Sequence, residues 1–303
     1  MNQTPRIICL GAMLWDVIGH SPVTLRIGDD VAGRIHQRPG GVALNVAVAL
    51  ARHGLTPAIL SAVGRDAPGE ALIAETRALG VETGWLWRDG PLPTDLYMAI
   101  EAPGGLVAAI ADAHGLEAAG PAILGPLQDG TLGDAAAPWQ GTLVIDGNLT
   151  LETLALIAGD PCLAQASLRI VPASPDKARR LAPLLGHPQA IFHINRAEAE
   201  ALAGRPLGDA PLAAEAICGM GAARVIVTDG PRAAAEAARD LPTITQTPPP
   251  VTARHVTGAG DSFLAAHLAA ELAGASRIEA LDRAIRAAAS HISAGHIAEK
   301  DSA

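Results

Sequence analysis

Thr142-Leu143-Val144-Ile145-Asp146 opens the stretch that decides the fold, followed by Ser167-Leu168-Arg169-Ile170-Val171, Ala190-Ile191-Phe192-His193-Ile194 and Arg224-Val225-Ile226-Val227-Thr228. Each is a short apolar run rich in β-branched residues, too short for a helix, and reads as a buried strand. Helical segments separate them, over Leu151–Ala158, over Lys177–Leu185 and onward from Glu198. Strands that alternate with helices require a parallel sheet covered on both faces, and such sheets bind ligands beyond the C-terminal strand ends. The pattern extends upstream. Arg6–Leu10 and Pro57–Val63 read as buried strands, a helix runs through Val46, Val48, Ala49 and Leu50 to Gly54, and Gly64-Arg65-Asp66 opens another that reaches Leu79.

Two regions break this alternation. Val17 to about Ile35 is turn-rich, whereas Trp85-Leu86-Trp87, Thr94–Ile100 and Leu106–Ile110 read as antiparallel strands around Gly104-Gly105. Together they predict a small sheet projecting from the body, with segments at about 14–38 and 92–112. Thr243–Pro250 is proline-rich and reads as a loop. A length of 303 residues suits one large α/β domain over 1–303.

Net charge is −9, which argues against a nucleic acid polymer and an anionic membrane surface as partners, and the only lysines are Lys177 and Lys300. Any phosphate must then be held by backbone dipoles and a metal rather than by a basic patch. No apolar run nears the ~20 residues of a membrane span. The chain enters Ile7-Ile8-Cys9-Leu10-Gly11 with no leader-like layout, so a cytoplasmic protein is expected. Cys9, Cys162 and Cys218 share no metal or redox spacing, and the histidines show no ligand spacing.

The chemistry concentrates in Val256-Thr257-Gly258-Ala259-Gly260-Asp261-Ser262-Phe263-Leu264. A Gly-Ala-Gly turn lets the backbone turn tightly. Leu264, Leu268 and Leu272 then mark one face of a helix that stops near Gly274. Free amides at a helix N-terminus attract anions. A carboxylate beside such a cradle is electrostatically awkward unless Asp261 is a base that takes a proton from an attacking hydroxyl. The alternative is a capped helix without chemistry. Upstream, Asp16 follows the first strand and can accept from two vicinal hydroxyls, or be a solvated loop acid. Gly40-Gly41 permits close backbone approach to a ligand, and Asn45 can both donate and accept. Asn195 and Glu198, three apart at a helix start, can hold water around Mg²⁺ or form a capping box, and both can hold together. Asp146 and Asn148 end a strand, either to place phosphate or metal or as ordinary loop residues.

These motifs, in this order, resemble the PfkB (ribokinase-like) carbohydrate and nucleoside kinases. The stretch from 256 resembles the second family signature, Asp-Thr-x-Gly-Ala-Gly-Asp-x-Phe, with His255 and Val256 at its first two positions. Gly40-Gly41 with Asn45-Val46-Ala47 resembles the first signature, and Asn195-Arg196-Ala197-Glu198 the family's Asn-x-x-Glu. Thr228-Asp229-Gly230 resembles its Thr-x-Gly segment, with Ala233 where a second glycine is usual. Within the family, Arg38-Pro39-Gly40-Gly41-Val42, Leu60–Asp66 and Pro93-Thr94-Asp95-Leu96-Tyr97 look most like bacterial pseudouridine kinases. The departures are Leu14, Ala111 and His255, at positions where members carry a sugar-contacting asparagine, an amide on the substrate side and an acid that helps bind a monovalent cation. Val171-Pro172-Ala173-Ser174 resembles an Asp-Pro segment without its acid and receives no role.

The resemblance implies a three-layer αβα sandwich with a mainly parallel sheet and a β-sheet lid. It implies an ATP- and Mg²⁺-dependent kinase, with a monovalent cation requirement left open by His255. Asp16, Gly40, Gly41, Asn45, Thr94 and Asp112 would bind a sugar or nucleoside. Asn195, Thr228, Gly230, Thr257, Gly258, Gly260 and Ser290 would bind ATP, and Glu198 with Asn195 would hold the metal through water. Gly258, Ala259, Gly260 and Asp261 would form the catalytic turn, with Asp261 a weak base of ordinary pKa near ~4. A homodimer through the lid is a further family expectation. The alternatives are another sugar kinase of the family, ribokinase- or fructokinase-like, and a non-catalytic sugar- or nucleotide-binding regulator.

Overall fold

A computed structural model describes residues 4–252 and 257–294; His255 and Val256 lie outside the described residues. The first half of the chain carries β1 (Ile7–Leu10), β2 (Leu14–His20), β3 (Arg34–Gly40), α1 (Val42–Arg52), β4 (Ala58–Leu60), α2 (Ala67–Ala78), β5 (Leu96–Ala102), β6 (Gly105–Asp112) and α3 (His114–Ala119). The second half begins β7 (Thr142–Asp146), α4 (Leu151–Gly159), β8 (Ser167–Val171), α5 (Pro175–Ala178), β9 (Ala190–Asn195) and α6 (Arg196–Ala203). It ends α7 (Ala210–Gly219), β10 (Arg224–Asp229), β11 (Arg232–Ala238), β12 (Leu241–Gln246), α8 (Ala259–Leu272) and α9 (Arg277–Ser293).

The main sheet has the order β12-β11-β10-β9-β8-β7-β1-β4. It is parallel from β4 to β10, and β11 and β12 add an antiparallel edge. Because strand side chains alternate, Ile8 and Leu10 pack on one face with α3, α4, α6 and α7, while Ile7 and Cys9 pack on the other with α1, α2 and α8. Phe263 joins Leu281, Ala284 and Ile285 of α9 in a third cluster over Ile226. The result is the expected αβα sandwich. A separate sheet, β3-β2-β5-β6, stands off the body, and its outermost strand β6 is exposed along its whole length. Among the described residues, no helix is long and apolar enough to cross a membrane.

Several expectations change. Trp85–Trp87 does not enter the small sheet: the Trp87 amide donates to Ser61 and its carbonyl accepts from Val63, so the segment lies along the main sheet beside β4. Thr243–Gln246 belongs to β12 rather than to a loop, because β11 offers it an unpaired edge. β11 itself, Arg-Ala-Ala-Ala-Glu-Ala-Ala, is strand despite helix-favouring alanines. The segment Lys177–Leu185 splits into α5 and a 3₁₀ stretch, Arg179–Leu184, that contains Pro183, which lacks a backbone donor. On α8, Leu264 and Leu268 are buried but Leu272 is exposed. Steps of four on a 3.6-residue helix drift off the face.

Candidate active site

The strand ends of β8, β9 and β10 and the first turn of α8 enclose a cleft of about 460 Å³. Its lining includes Asn45, Asn195, Glu198, Thr228, Thr257 and the run Gly258–Asp261. Gly258 takes φ +82°, in the left-handed region, so the chain turns sharply into α8. No side chain caps this helix end. Its first amides therefore have no intrahelical acceptor and belong to residues that line the cleft, while the Ser262 amide closes onto the Gly258 carbonyl.

Asp261 is half-buried on that turn, and the Asn45 side chain on α1 lies close enough to favour its charged form. Burial pushes its carboxyl from 3.8 up to about 7; Asn45 opposes the rise, and the charges of Asp146 and Asp16 add to it. This corrects the ordinary value expected from sequence, because desolvation depends on what packs around the group. A carboxylate that titrates near neutrality accepts a proton more readily than one near 4.

Of the expected sugar-side residues Asn45 lines this cleft, whereas Asp16, Gly40 and Gly41 do not; Asp16 lies close enough for its charge to reach Asp261. Asp16 on β2 is half-buried and lies opposite Arg38 on β3, with Nε–Oδ2 at 3.8 Å. The two glycines have a reason beyond ligand approach. A Cβ on Gly40 would sit 2.3 Å from the Asp16 carboxyl carbon, and one on Gly41, at φ +97°, 2.4 Å from the Ala12 carbonyl oxygen. Gly40 leaves room for Asp16, and Gly41 lets α1 begin against the loop after β1. Asp146 pins that junction: fully buried at the end of β7, it accepts from the amides of Ala12 (2.8 Å) and Ala43 (3.0 Å) through Oδ2 and of Asn148 (2.8 Å) through Oδ1. Its carboxylate is thus committed to backbone. Asn148 Oδ1 accepts from Lys177 Nζ at 2.5 Å.

On the opposite side, Asn195 and Glu198 form a reciprocal capping box: Asn195 Oδ1 accepts from the Glu198 amide (3.0 Å), and Glu198 Oε2 from the Asn195 amide (2.8 Å). Burial lifts the Glu198 carboxyl to about 7; hydrogen bonds from Asn195 work against this and the charge of Asp261 adds to it. A cleft that holds two carboxylates raised by burial, Glu198 also by the charge of Asp261, is a setting a divalent cation relieves. Among the described residues no three His, Cys, Asp or Glu side chains cluster as a metal site. One carboxylate and one amide fit Mg²⁺ that keeps several of its waters.

Other expected residues stand further out. Thr94 gives both its amide (2.9 Å) and hydroxyl (2.5 Å) to Asp66, the cap of α2. Asp112, exposed at the end of β6, pairs with His114 Nδ1 at 2.6 Å. Gly230 and Ser290 are exposed and do not line the cleft. Conversely, Val171, Pro172 and Ala173, given no role from sequence, form part of its wall. His193 lies in its floor beside Phe263 and His267, with ring centroids at 6.5 and 5.2 Å, and neither ring nitrogen has a hydrogen-bond partner. No spacing in the chain marked it. Beneath, the far part of α8 is tied to the sheet by ion pairs of Glu271 with Arg169 (2.8 Å) and Arg224, and Glu236 of β11 pairs with Arg224 (2.7 Å) and with Arg277 of α9 (2.5 Å).

An α/β sandwich with a projecting sheet thus carries a turn of helix-start amides beside a half-buried acid, an anion cradle next to a group that can take a proton. The chain belongs to the pfkB family of carbohydrate kinases, whose profile matches residues 4–299. It is 31% identical over 155 residues to an uncharacterised sugar kinase of Escherichia coli K12, YeiI, which covers 51% of this chain and 41% of that protein. It is 37% identical over 81 residues to the pseudouridine kinase of the same organism, which covers 27% of this chain and 26% of that protein. These matches span less than half the length of either relative. A carbohydrate kinase from Agrobacterium tumefaciens superposes with TM-score 0.79 at 27% identity, over 94% of this chain and 90% of that one.

Proposed function

We propose that the protein is an ATP-dependent sugar or nucleoside kinase that phosphorylates the 5′-hydroxymethyl group of a ribose-type acceptor, with pseudouridine the foremost candidate. The observation that carries the reading is the position of Asp261, which lines one cleft with Asn45 and stands in the first, uncapped turn of α8. The partial match to pseudouridine kinase supports the choice of acceptor.

In this reading Asp16, Asn45 and the Gly40-Gly41 backbone fix the sugar, with Thr94 and Asp112 at the lid side. Asp261 accepts the acceptor's hydroxyl proton as the new O–P bond forms and the bond between the γ-phosphorus and the bridging oxygen breaks, releasing ADP. Ala259 and Gly260 direct their amides at the charge on the transferring group, and Gly258 sets the turn. Asn195, Thr228, Gly230 and Thr257 take the remaining ATP phosphates, and the adenine lies toward Ser290. Asn195 and Glu198 would hold Mg²⁺ through water, and the ion supplies neutralising charge at the phosphates. The small sheet closes over the sugar and excludes water. Its exposed Met98, Ile100, Leu106, Val107 and Ile110 suit pairing of two chains, which sedimentation would detect. ATP as donor fits a cytoplasmic location.

An ADP-release assay with pseudouridine, ribose, adenosine and fructose tests the acceptor. Turnover of pseudouridine at the highest kcat/KM is expected. Preference for another sugar rejects the acceptor, and ligand-induced thermal stabilisation without ADP release with any of them favours a binding protein.

A further inference from the structure

The catalytic turn is held from α9. His291, in the last turn of that helix, places Nε2 2.8 Å from the Thr257 carbonyl oxygen and Nδ1 3.1 Å from Ser262 Oγ. A carbonyl oxygen only accepts, so Nε2 carries a proton, while Nδ1 accepts from the Ser262 hydroxyl in the neutral ring or donates to it in the imidazolium. One imidazole thus spans the turn, from the residue before Gly258 to the residue after Asp261. Gly258 leaves it the space: a Cβ there would lie 3.2 Å from Nε2 and 3.4 Å from Cε1. The turn has no capping side chain of its own, so this bridge fixes its pitch. That pitch decides where the Asp261 carboxylate and the amides of Ala259 and Gly260 point.

We propose that His291 is a positioning residue, which sets the amide turn and Asp261 in the geometry for phosphoryl transfer without touching the reactants. The inference rests on the kinase reading of the cleft. A displacement of about 1 Å at such a turn is enough to cost on the order of a hundredfold in rate.

The test compares His291→Ala, His291→Gln and the wild type. His291→Ala should lower kcat by about tenfold to a hundredfold with sugar KM within about threefold, because the acceptor is bound from the other wall. His291→Gln carries an N–H and a C=O and should restore most of the loss. ADP affinity, measured by calorimetry, should fall by about tenfold in the alanine variant, while adenosine, which has no phosphate for the amides, should bind both proteins alike. Nitrogen-15 NMR of the wild type should show a proton on Nε2 of His291. An unchanged kcat and ADP affinity in the alanine variant overturns the proposal, as does a glutamine variant as impaired as alanine, or an Nε2 that carries no proton. If the wild type transfers no phosphate to any acceptor, the kinase reading fails. The ADP and NMR measurements still decide whether His291 sets the turn.

Discussion

Replacing Asp261 by asparagine should make the protein more stable and nearly inactive, and the size of the first effect follows from the burial of the carboxyl. In the unfolded chain the group titrates near 3.8, and in the fold near 7. A raised carboxyl contributes no penalty while it is protonated in both states, below about pH 4. The folded state then loses stability as pH rises from there to about 7, and the loss is constant above. At pH 8 it amounts to about 4 kcal/mol at most, less what the open side of the cleft returns through solvation. The substituted asparagine side chain carries no charge to desolvate and can still pair with Asn45. Urea denaturation of both proteins from pH 5 to pH 8 should therefore show the variant ahead at pH 8, with the gap widening by about 2 kcal/mol over that range. In the same variant kcat should fall by at least about a hundredfold, with sugar KM nearly unchanged. A stability gap independent of pH would refute the burial argument, and turnover within tenfold of wild type would refute the base.

Three other outcomes follow from the geometry. Glu198→Gln keeps an acceptor for the Asn195 amide, so folding should hold while the Mg²⁺ concentration for half-maximal rate rises several-fold; an unchanged titration removes Glu198 from the metal site. Asp146→Ala leaves the buried amides of Ala12 and Ala43 unpaired and should cost about 2–4 kcal/mol by denaturation, whereas a cost below about 1 would mean other groups take these amides. Burial works against the charge on Glu236, but His267, Arg224 and Arg277 outweigh it and hold the carboxyl at about 2, down from 4.5. Its stabilising contribution is complete above about pH 4.5 and lost as pH falls toward 2, so acid unfolding of Glu236→Gln should be shallower than that of wild type over that window.

Much of the architecture was legible because its determinants are local. The runs at 142–146, 167–171 and 190–194 announce buried strands, and Asn195 with Glu198 announces a helix start whether or not a metal is present. β11 was not legible, since alanine carries no strand signal. Only the edge of β10 makes Arg232–Ala238 a strand, and that strand in turn recruits Thr243–Gln246 out of an apparent loop. The glycine pair at 40–41 was legible as special but not for its full reason, because Asp16 and Ala12 reach it through pairing of β2 with β3 and the start of α1.

The amino-acid order alone determined a parallel α/β body, a projecting sheet and a glycine turn with an acid behind it, since spacing along the chain encodes periodicity and turn chemistry. Packing decided the rest. Asn45 against Asp261, Asp146 under the first loop, and His291 across the turn join positions far apart in the chain. The proton affinity of Asp261 is likewise a property of its surroundings, because desolvation is set by which atoms exclude water and not by the neighbours in sequence.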